Sequence, residues 1–227
     1  MSDRALVFGA SGALGSAVCS HLRSVDVEVI PASRQGPKTP GDLSTAQPGW
    51  AAQLAPKSVT RAIWAQGANA SGGILDDGPS QMVELFEANV LFIVSTVKEL
   101  LDAEVLAEGA RLVVVSSVWQ ETARDRKLAY VTSKAALAGL VRSLVADLGP
   151  IGISVNAVLP GVVDTPMTRR FLSEVQVRSL ESETPIGRLV TAEEVARTCA
   201  WLSGSESAGI SGQFVVVDGG WSSVRHV

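Results

Sequence analysis

Apolar positions in this chain fall into short solid blocks separated by longer amphipathic stretches. Ala5-Leu6-Val7-Phe8, Val27-Glu28-Val29-Ile30, Arg61–Trp64, Arg111–Ser116, Ile153–Leu159 and Phe214–Val217 read as strands, the continuously apolar ones buried on both faces. A brief segment at Asp42-Leu43 reads as one more. Between the blocks, a period near 3.6 predicts helices over Ala13–Ser24 and Ser80–Leu106, with a shorter helical stretch at Trp50–Leu54. A further helix contains Tyr130 and Lys134 and ends near Gly149-Pro150, where glycine and proline stop it. The last runs over Thr191–Leu202, with Thr191 as N-cap and Glu194 three residues on. Strands alternating with helices predict an α/β fold: a doubly wound, three-layer α/β/α sandwich around a mainly parallel seven-stranded sheet. About ten residues, Ala32 to Gly41, join the second strand to Asp42, and they include Gly36, Pro37, Pro40 and Gly41. A crossover helix does not fit there, so a loop is expected in its place.

Composition narrows this picture. A length of 227 residues suits one domain, 1–227. Hydrophobic residues make up 46% and charged residues only 19%, and mean hydropathy is +0.26, which suits a doubly covered sheet and further burial in an oligomer. The net charge of −4, with no basic run, argues against nucleic-acid binding. Cys19 and Cys199 fall in separate predicted helices and match no metal spacing, so they read as reduced core residues. His21 and His226 stand apart from carboxylate or cysteine clusters, and no metal site is expected. No signal-peptide pattern is visible, and no apolar run was expected to approach the ~20 residues of a membrane span. The expected location is cytoplasmic.

Candidate chemistry begins at Tyr130, the single tyrosine, in Tyr130-Val131-Thr132-Ser133-Lys134, thirteen residues after Ser117. Positions i and i+4 share a helix face, so Lys134 is expected beside the phenol. A phenol titrates near ~10; a neighbouring ammonium is expected to lower that value towards the range a general acid–base group needs. Ser117, at a strand end, would hydrogen-bond the same substrate oxygen. Taken alone, Tyr-x-x-x-Lys also describes an ordinary solvated helix face, so the pattern needs a cofactor site to carry meaning.

Gly9-Ala10-Ser11-Gly12-Ala13-Leu14-Gly15 supplies the context for one. It follows a strand and opens a helix, where glycines permit a tight turn and let backbone approach a pyrophosphate resting on the helix N-terminus, as in a Rossmann-type dinucleotide site. At the end of the second strand, Ala32 stands where an acid would hold the ribose diol of NAD. Ser33 and Arg34 follow, a hydroxyl and a guanidinium suited to a 2′-phosphate. NADP(H) is therefore favoured and NAD(H) kept as the alternative; Arg34 also reads as a solvated loop cation.

With these motifs in view, the chain resembles the short-chain dehydrogenase/reductase family over nearly its whole length. The glycine turn matches, with Phe8 for the usual Thr and Ala13 for the usual middle Gly. The family's Asn-Asn-Ala-Gly survives only as Trp64-Ala65-Gln66-Gly67. The resemblance implies a catalytic set of Asn89, Ser117, Tyr130 and Lys134. Tyr130 would exchange the oxygen-bound proton, and Ser117 would polarise that oxygen. Lys134 would tune the phenol and hold the nicotinamide ribose, and Asn89 would hold a water linking Lys134 to solvent. It also implies cofactor contacts from Gly9, Ser11, Gly12, Ala13, Leu14, Gly15, Ser33, Arg34, Asp42, Leu43, Ala65, Gln66, Gly67, Tyr130, Lys134, Pro160, Gly161, Val163 and Thr165. Pro185-Ile186-Gly187-Arg188 and Gly212–Gly220 resemble C-terminal signatures of the family.

The implied reaction moves a hydride between a nicotinamide dinucleotide and a small-molecule ketone or secondary alcohol. Trp119 would wall the substrate pocket beside Ser117 and Tyr130, its apolar face suited to a ring or an acyl chain. Arg124, Arg126 and Lys127 offer charge for an anionic substrate, although a solvated loop is the plainer reading. Residues 168–190 would form a lid, and Trp221 a further wall from its own or a neighbouring chain. Family members pair through the helices bearing Asn89 and Tyr130, implying a homodimer or homotetramer. The competing readings are an NAD-linked alcohol dehydrogenase and a regulatory protein that binds the dinucleotide without turning it over.

Overall fold

The computed structural model describes residues 3–34, 42–76 and 78–224. Among them, seven strands form one parallel sheet: β1 (Arg4–Phe8), β2 (Glu28–Ser33), β3 (Leu43–Ser44), β4 (Val59–Trp64), β5 (Leu106–Val115), β6 (Ser154–Pro160) and, last in the chain, β9 (Phe214–Val217). Their spatial order is β3-β2-β1-β4-β5-β6-β9. A separate parallel pair, β7 (Val163–Asp164) and β8 (Val190–Thr191), flanks the segment that follows β6. This pair has no counterpart in the sequence expectation.

Strand residues alternate strictly between the two faces. Leu6, Phe8, Ala62, Trp64, Leu112 and Val114 join one buried cluster; Ala5, Val7, Ile63, Val113 and Val115 join the other. The first face is covered by α2 (Pro79–Phe86), α3 (Phe92–Asp102) and α4 (Leu128–Leu148), the second by α1 (Ala13–Ser24) and α7 (Ala192–Leu202). Helices on both faces explain why the strands read as near-continuous apolar runs. The expected capping box at the start of α7 is present, with Glu194 N donating to Thr191 Oγ1 at 3.2 Å. Cys19 and Cys199 are buried free thiols, pushed up by burial to about 11 and about 12.

Several boundaries differ from the sequence expectation. The helix read as Ser80–Leu106 ends at Asp102, because Glu104 takes a left-handed conformation (φ +51°) and Val105 and Leu106 enter the sheet. The same helix is interrupted by a π-helical turn, Glu87–Leu91, that carries Asn89. Strand β2 runs on through Ser33, three residues beyond Ile30. Only residues 34–42 connect β2 to β3, and the loop expected there lies largely outside the described residues. Contrary to expectation, two helical stretches of 24 residues, Pro79–Asp102 and Leu128–Ile151, are long and apolar enough to cross a membrane by length and composition alone. Both pack on the sheet through buried Ile93, Val97, Leu137 and Val141, while Val83, Leu91 and Val94 stay exposed.

Strand order reverses between β1 and β4, so the loops leaving their carboxyl ends diverge and open a crevice. The glycine turn leaves β1 there and Ala65-Gln66-Gly67 leaves β4. The neighbouring ends of β5 and β6 carry Ser117 and Gly161.

Candidate active site

The helix α4 brings Tyr130 and Lys134 to the crevice together. Its N-terminus is anchored by Lys127, whose Nζ donates to Asn69 Oδ1 (3.0 Å), Ala70 O (3.0 Å) and Ser71 Oγ (2.9 Å). One turn on, Lys134 is 4% exposed; its Nζ lies 5.9 Å from the Tyr130 ring centroid and donates to Val115 O at 3.2 Å. Ser117 follows the end of β5, buried, and its Oγ accepts from Trp119 N at 3.3 Å, capping the short turn Val118–Gln120.

The electrostatics correct one expectation. The Tyr130 phenol is raised, not lowered: burial pushes it up, and interaction with the Ser117 hydroxyl only partly draws it back. Burial also pulls Lys134 down to about 8. Both groups lose water, and that loss disfavours the charged form of each. Lys134 nevertheless remains mainly protonated at neutral pH, available as a fixed positive charge.

Asn89 is 1% exposed and reaches across to the loop after β4. Its Oδ1 accepts from Ala68 N (2.7 Å), while Nδ2 donates to Ala68 O (3.0 Å) and Ser133 Oγ (2.9 Å). Ser133 Oγ in turn donates to Tyr130 O at 2.8 Å. The asparagine thus clamps the β4 loop to α4 through direct bonds. A π turn is a frequent device for aiming one side chain out of helical register at a functional site. A Cβ added to Gly67 would stand 3.3 Å from Asn89 Oδ1 and 3.5 Å from Lys134 Nζ, so that glycine lies against both.

The glycine turn tests whether a dinucleotide fits. Gly9 has φ +75°, and a Cβ there would strike the Gln66 backbone at 2.6 Å; at Gly15 it would strike Gly9 O at 2.1 Å. These two glycines are required by the fold itself. Gly12 is not: its Cβ would meet only Gly9 O at 3.4 Å. It is the N-cap of α1 and offers no side-chain cap, with Ser11 exposed beside it and Ala13, Leu14 and Gly15 in the first turn. An uncapped helix N-terminus whose approach is kept bare by glycine matches the needs of a pyrophosphate.

The adenosine-side candidates lie at the ends of β2 and β3. Gly9 N donates to Ala32 O (3.1 Å), and Ala32 pairs with Leu43. Asp42 lies near enough to Cys19 to raise its thiol. Ser33 ends its strand, and the Arg34 guanidinium lies 5.5 Å over the Phe92 ring. There it borders a cavity of about 450 Å³ with Thr45, Trp50 and Glu99. Past Pro160 at the end of β6, Gly161 is pressed against Asp218, where a Cβ would lie 2.6 Å from the aspartate's own. Val163 is buried in β7, and Thr165 Oγ1 accepts from Thr168 N (3.2 Å) to cap α5 (Pro166–Phe171).

Residues 168–190 hold the end of α5, the helix α6 (Glu174–Glu183) and the start of β8. The sequence missed a contact at this rim. Trp119 meets Trp221 of the same chain edge to face (5.2 Å between centroids, 71°), and Trp221 Nε1 donates to Glu183 Oε2 at 3.4 Å. Among the described residues, no group of three or more His, Cys, Asp or Glu is placed to hold a metal ion.

Comparison with known proteins agrees with this geometry. Residues 60–222 match the family model described as enoyl-(acyl carrier protein) reductase. An uncharacterized oxidoreductase of Bacillus subtilis, YmfI, is 28% identical over 97% of this chain and 99% of its own. The Escherichia coli 3-oxoacyl-[acyl-carrier-protein] reductase FabG is 32% identical over 60% of this chain and 56% of its own. A crystal structure of a Francisella tularensis short chain dehydrogenase family protein superimposes with a TM-score of 0.86, covering 99% of this chain and 100% of that one at 24% identity. The chain belongs to the short-chain dehydrogenase/reductase family, and it is an oxidoreductase acting on CH–OH/C=O groups. That family generally uses nicotinamide dinucleotides, acts on small molecules and commonly forms oligomers.

Proposed function

We propose that this chain interconverts a ketone and a secondary alcohol, with NADPH as the favoured partner, through Ser117, Tyr130, Lys134 and Asn89. The observation that carries the reading is the Lys134 ammonium set 5.9 Å over the Tyr130 ring and against Gly67. When bound, the dinucleotide supplies or takes the hydride. Gly9 to Gly15 and the α1 N-terminus would hold its pyrophosphate, Pro160 to Thr165 its nicotinamide end, and Ser33, Arg34, Asp42 and Leu43 its adenosine end. Tyr130 Oη gives its proton to the carbonyl oxygen in reduction and takes it in oxidation. A phenol kept neutral by burial is ready to donate. Ser117 Oγ donates to the same oxygen and fixes its position. Lys134 stabilises the phenolate left behind, and the bonds from Asn89 and Ser133 hold that part of the cleft still.

Trp119 and Trp221 suit a substrate with a ring or an acyl chain, and residues 168–190 are proposed as the lid. A cytoplasmic homodimer or homotetramer built on α2, α3 and α4 would cover the apolar positions Val83, Leu91 and Val94. Absence of a carboxylate at Ala32 favours NADPH; the second reading, NAD-linked oxidation, draws on the engagement of Arg34 with Phe92. A panel of cyclic, aromatic and acyl-thioester ketones, followed by single-turnover loss of NADPH fluorescence, tests the reaction. Arg34→Ala should then lose about tenfold in kcat/KM with NADPH and little with NADH. Equal losses with both would remove the phosphate contact. No oxidation of either cofactor would leave a binding protein.

A further inference from the structure

The chain leaves β9 in a turn that packs against three other segments. Asp218 is buried; its carboxylate accepts from Gly220 N (2.8 Å), Ser222 N (2.7 Å) and Ser222 Oγ (2.5 Å), and its carbonyl from Trp221 N (3.3 Å). These bonds wind residues 218–222 into one unit that presents the Trp221 ring. A Cβ added to Gly161 would stand 2.6 Å from that of Asp218, so the unit is seated on the segment after β6. Gly219 (φ +67°) lies under Thr184 and Ile186, where a Cβ would stand 2.7–2.8 Å from their side chains, and Gly220 lies against Pro185. On the remaining side Trp221 meets Trp119 edge to face. Trp119 N donates to Ser117 Oγ at 3.3 Å. A serine hydroxyl has one proton and two lone pairs. With one lone pair held by Trp119, the proton is left to serve the Tyr130 phenol, which it draws down against burial.

We propose that Trp221 is a positioning residue: packed edge-on against Trp119, it holds the Val118–Gln120 turn, and through it the Ser117 hydroxyl, and ties that turn to the end of the lid at Thr184–Ile186. Both indoles are only half-buried, so each depends on the other ring for an orientation that the core does not impose. The bond from Trp221 Nε1 to the exposed Glu183 carboxylate is long, at 3.4 Å, and contributes little. The ring edge, rather than the indole N–H, does the positioning. This role rests on the ketone–alcohol reading above, and it differs from that of a pocket wall: a wall binds the substrate, whereas a positioning residue acts on the rate through Ser117.

The test uses the full chain, with the largest and the smallest ketone of the panel that it turns over. Trp221→Leu should lower kcat about three- to tenfold on both ketones, while KM and NADPH affinity stay within about twofold. Trp221→Phe, which restores a ring edge, should recover most of the rate. Trp119→Leu should lose a similar factor, and the double variant no more than about that factor, because the two rings act as one unit. Cleavage of the lid by trypsin, at Arg169, Arg170 or Arg178, should quicken in Trp221→Leu and return towards the wild-type rate in Trp221→Phe. Unchanged kcat or unchanged cleavage in Trp221→Leu overturns the assignment, as do equal losses in the two Trp221 variants or additive losses in the double variant. A rise in KM for the larger ketone alone makes Trp221 a wall and overturns it too. Loss of folding in both Trp221 variants, or NADPH affinity falling in step with kcat, makes the ring structural and has the same effect. A wild-type chain that turns over no ketone of the panel overturns the ketone–alcohol reading itself, and this role with it.

Discussion

The two sides of the cleft are built from opposite materials. On the α4 side, polar groups hold one another: Asn89 to Ala68 and Ser133, Ser133 to Tyr130, Lys134 to Val115. On the β1–β4 side, rings do the same work. Phe8 and Trp64, direct neighbours in register, stack at 5.0 Å and 12°, with Trp50 and Phe92 edge-on to Phe8. The Trp64 indole N–H donates to Thr96 Oγ1 at 2.8 Å, so even its polar atom is paired beneath the floor. The family resemblance expects a hydroxyl and two amides along this floor. In the proposed reaction, proton transfer prescribes side-chain identity on one wall, whereas the other needs only a rigid surface, which aromatic packing supplies as well as hydrogen bonds.

That contrast makes distinct predictions for each wall. Tyr130→Phe should cost about 10²–10⁴-fold in kcat, since it deletes the proton and little volume, with cofactor affinity nearly unchanged by titration. Activity within tenfold of wild type would remove the phenol from its role. Trp64→Ala should cost about 3–5 kcal/mol of stability in denaturant melts, by opening a cavity under the stack. A loss below 1 kcal/mol would mean the floor is not set by its rings. Lys134→Met should stabilise the ligand-free protein at neutral pH by on the order of 3 kcal/mol while abolishing turnover.

The sign of the lysine effect follows from its titration. The folded value, about 8, lies below the ordinary lysine value of 10.5, so the unfolded chain binds more protons between those limits. Wild-type stability should therefore rise from pH 8 towards 10.5, and the advantage of Lys134→Met, full below pH 8, should close across the same window. A pH-independent gap would place Lys134 in water. The smallest effect is expected for Asn89→Leu, about 2 kcal/mol, as Ala68 N–H and C=O lose their partners. An unchanged melt would show that the β4 loop does not need the clamp.

Much of this arrangement is legible from residue order, and the gaps have physical causes. Helix Ala13–Ser24 and strand Phe214–Val217 match the sequence reading to the residue, because Gly12 and the surrounding turns punctuate them. The convergence of Ser117, Tyr130 and Lys134 follows from one strand end and one helical turn. The end of α3 is misjudged because Val105 and Leu106 continue an apolar run, and pairing with β4 claims them instead. The raised phenol is hidden because desolvation is a property of the assembled cleft. Trp119–Trp221 and the buried amide of Gln66 depend on contacts between distant segments, and no local spacing announces them.

The π turn at Glu87–Leu91 carries a consequence for how this protein can vary. Each residue advances an α-helix by about 100°, so removing one from the turn would rotate α3 against α2. Asn89 could not then face Ala68 while Ile93 and Val97 still faced the sheet. Point changes on the outer surface of this stretch leave that phase intact, but a change in its length does not. The helix pair is thus permissive to spelling and strict about counting.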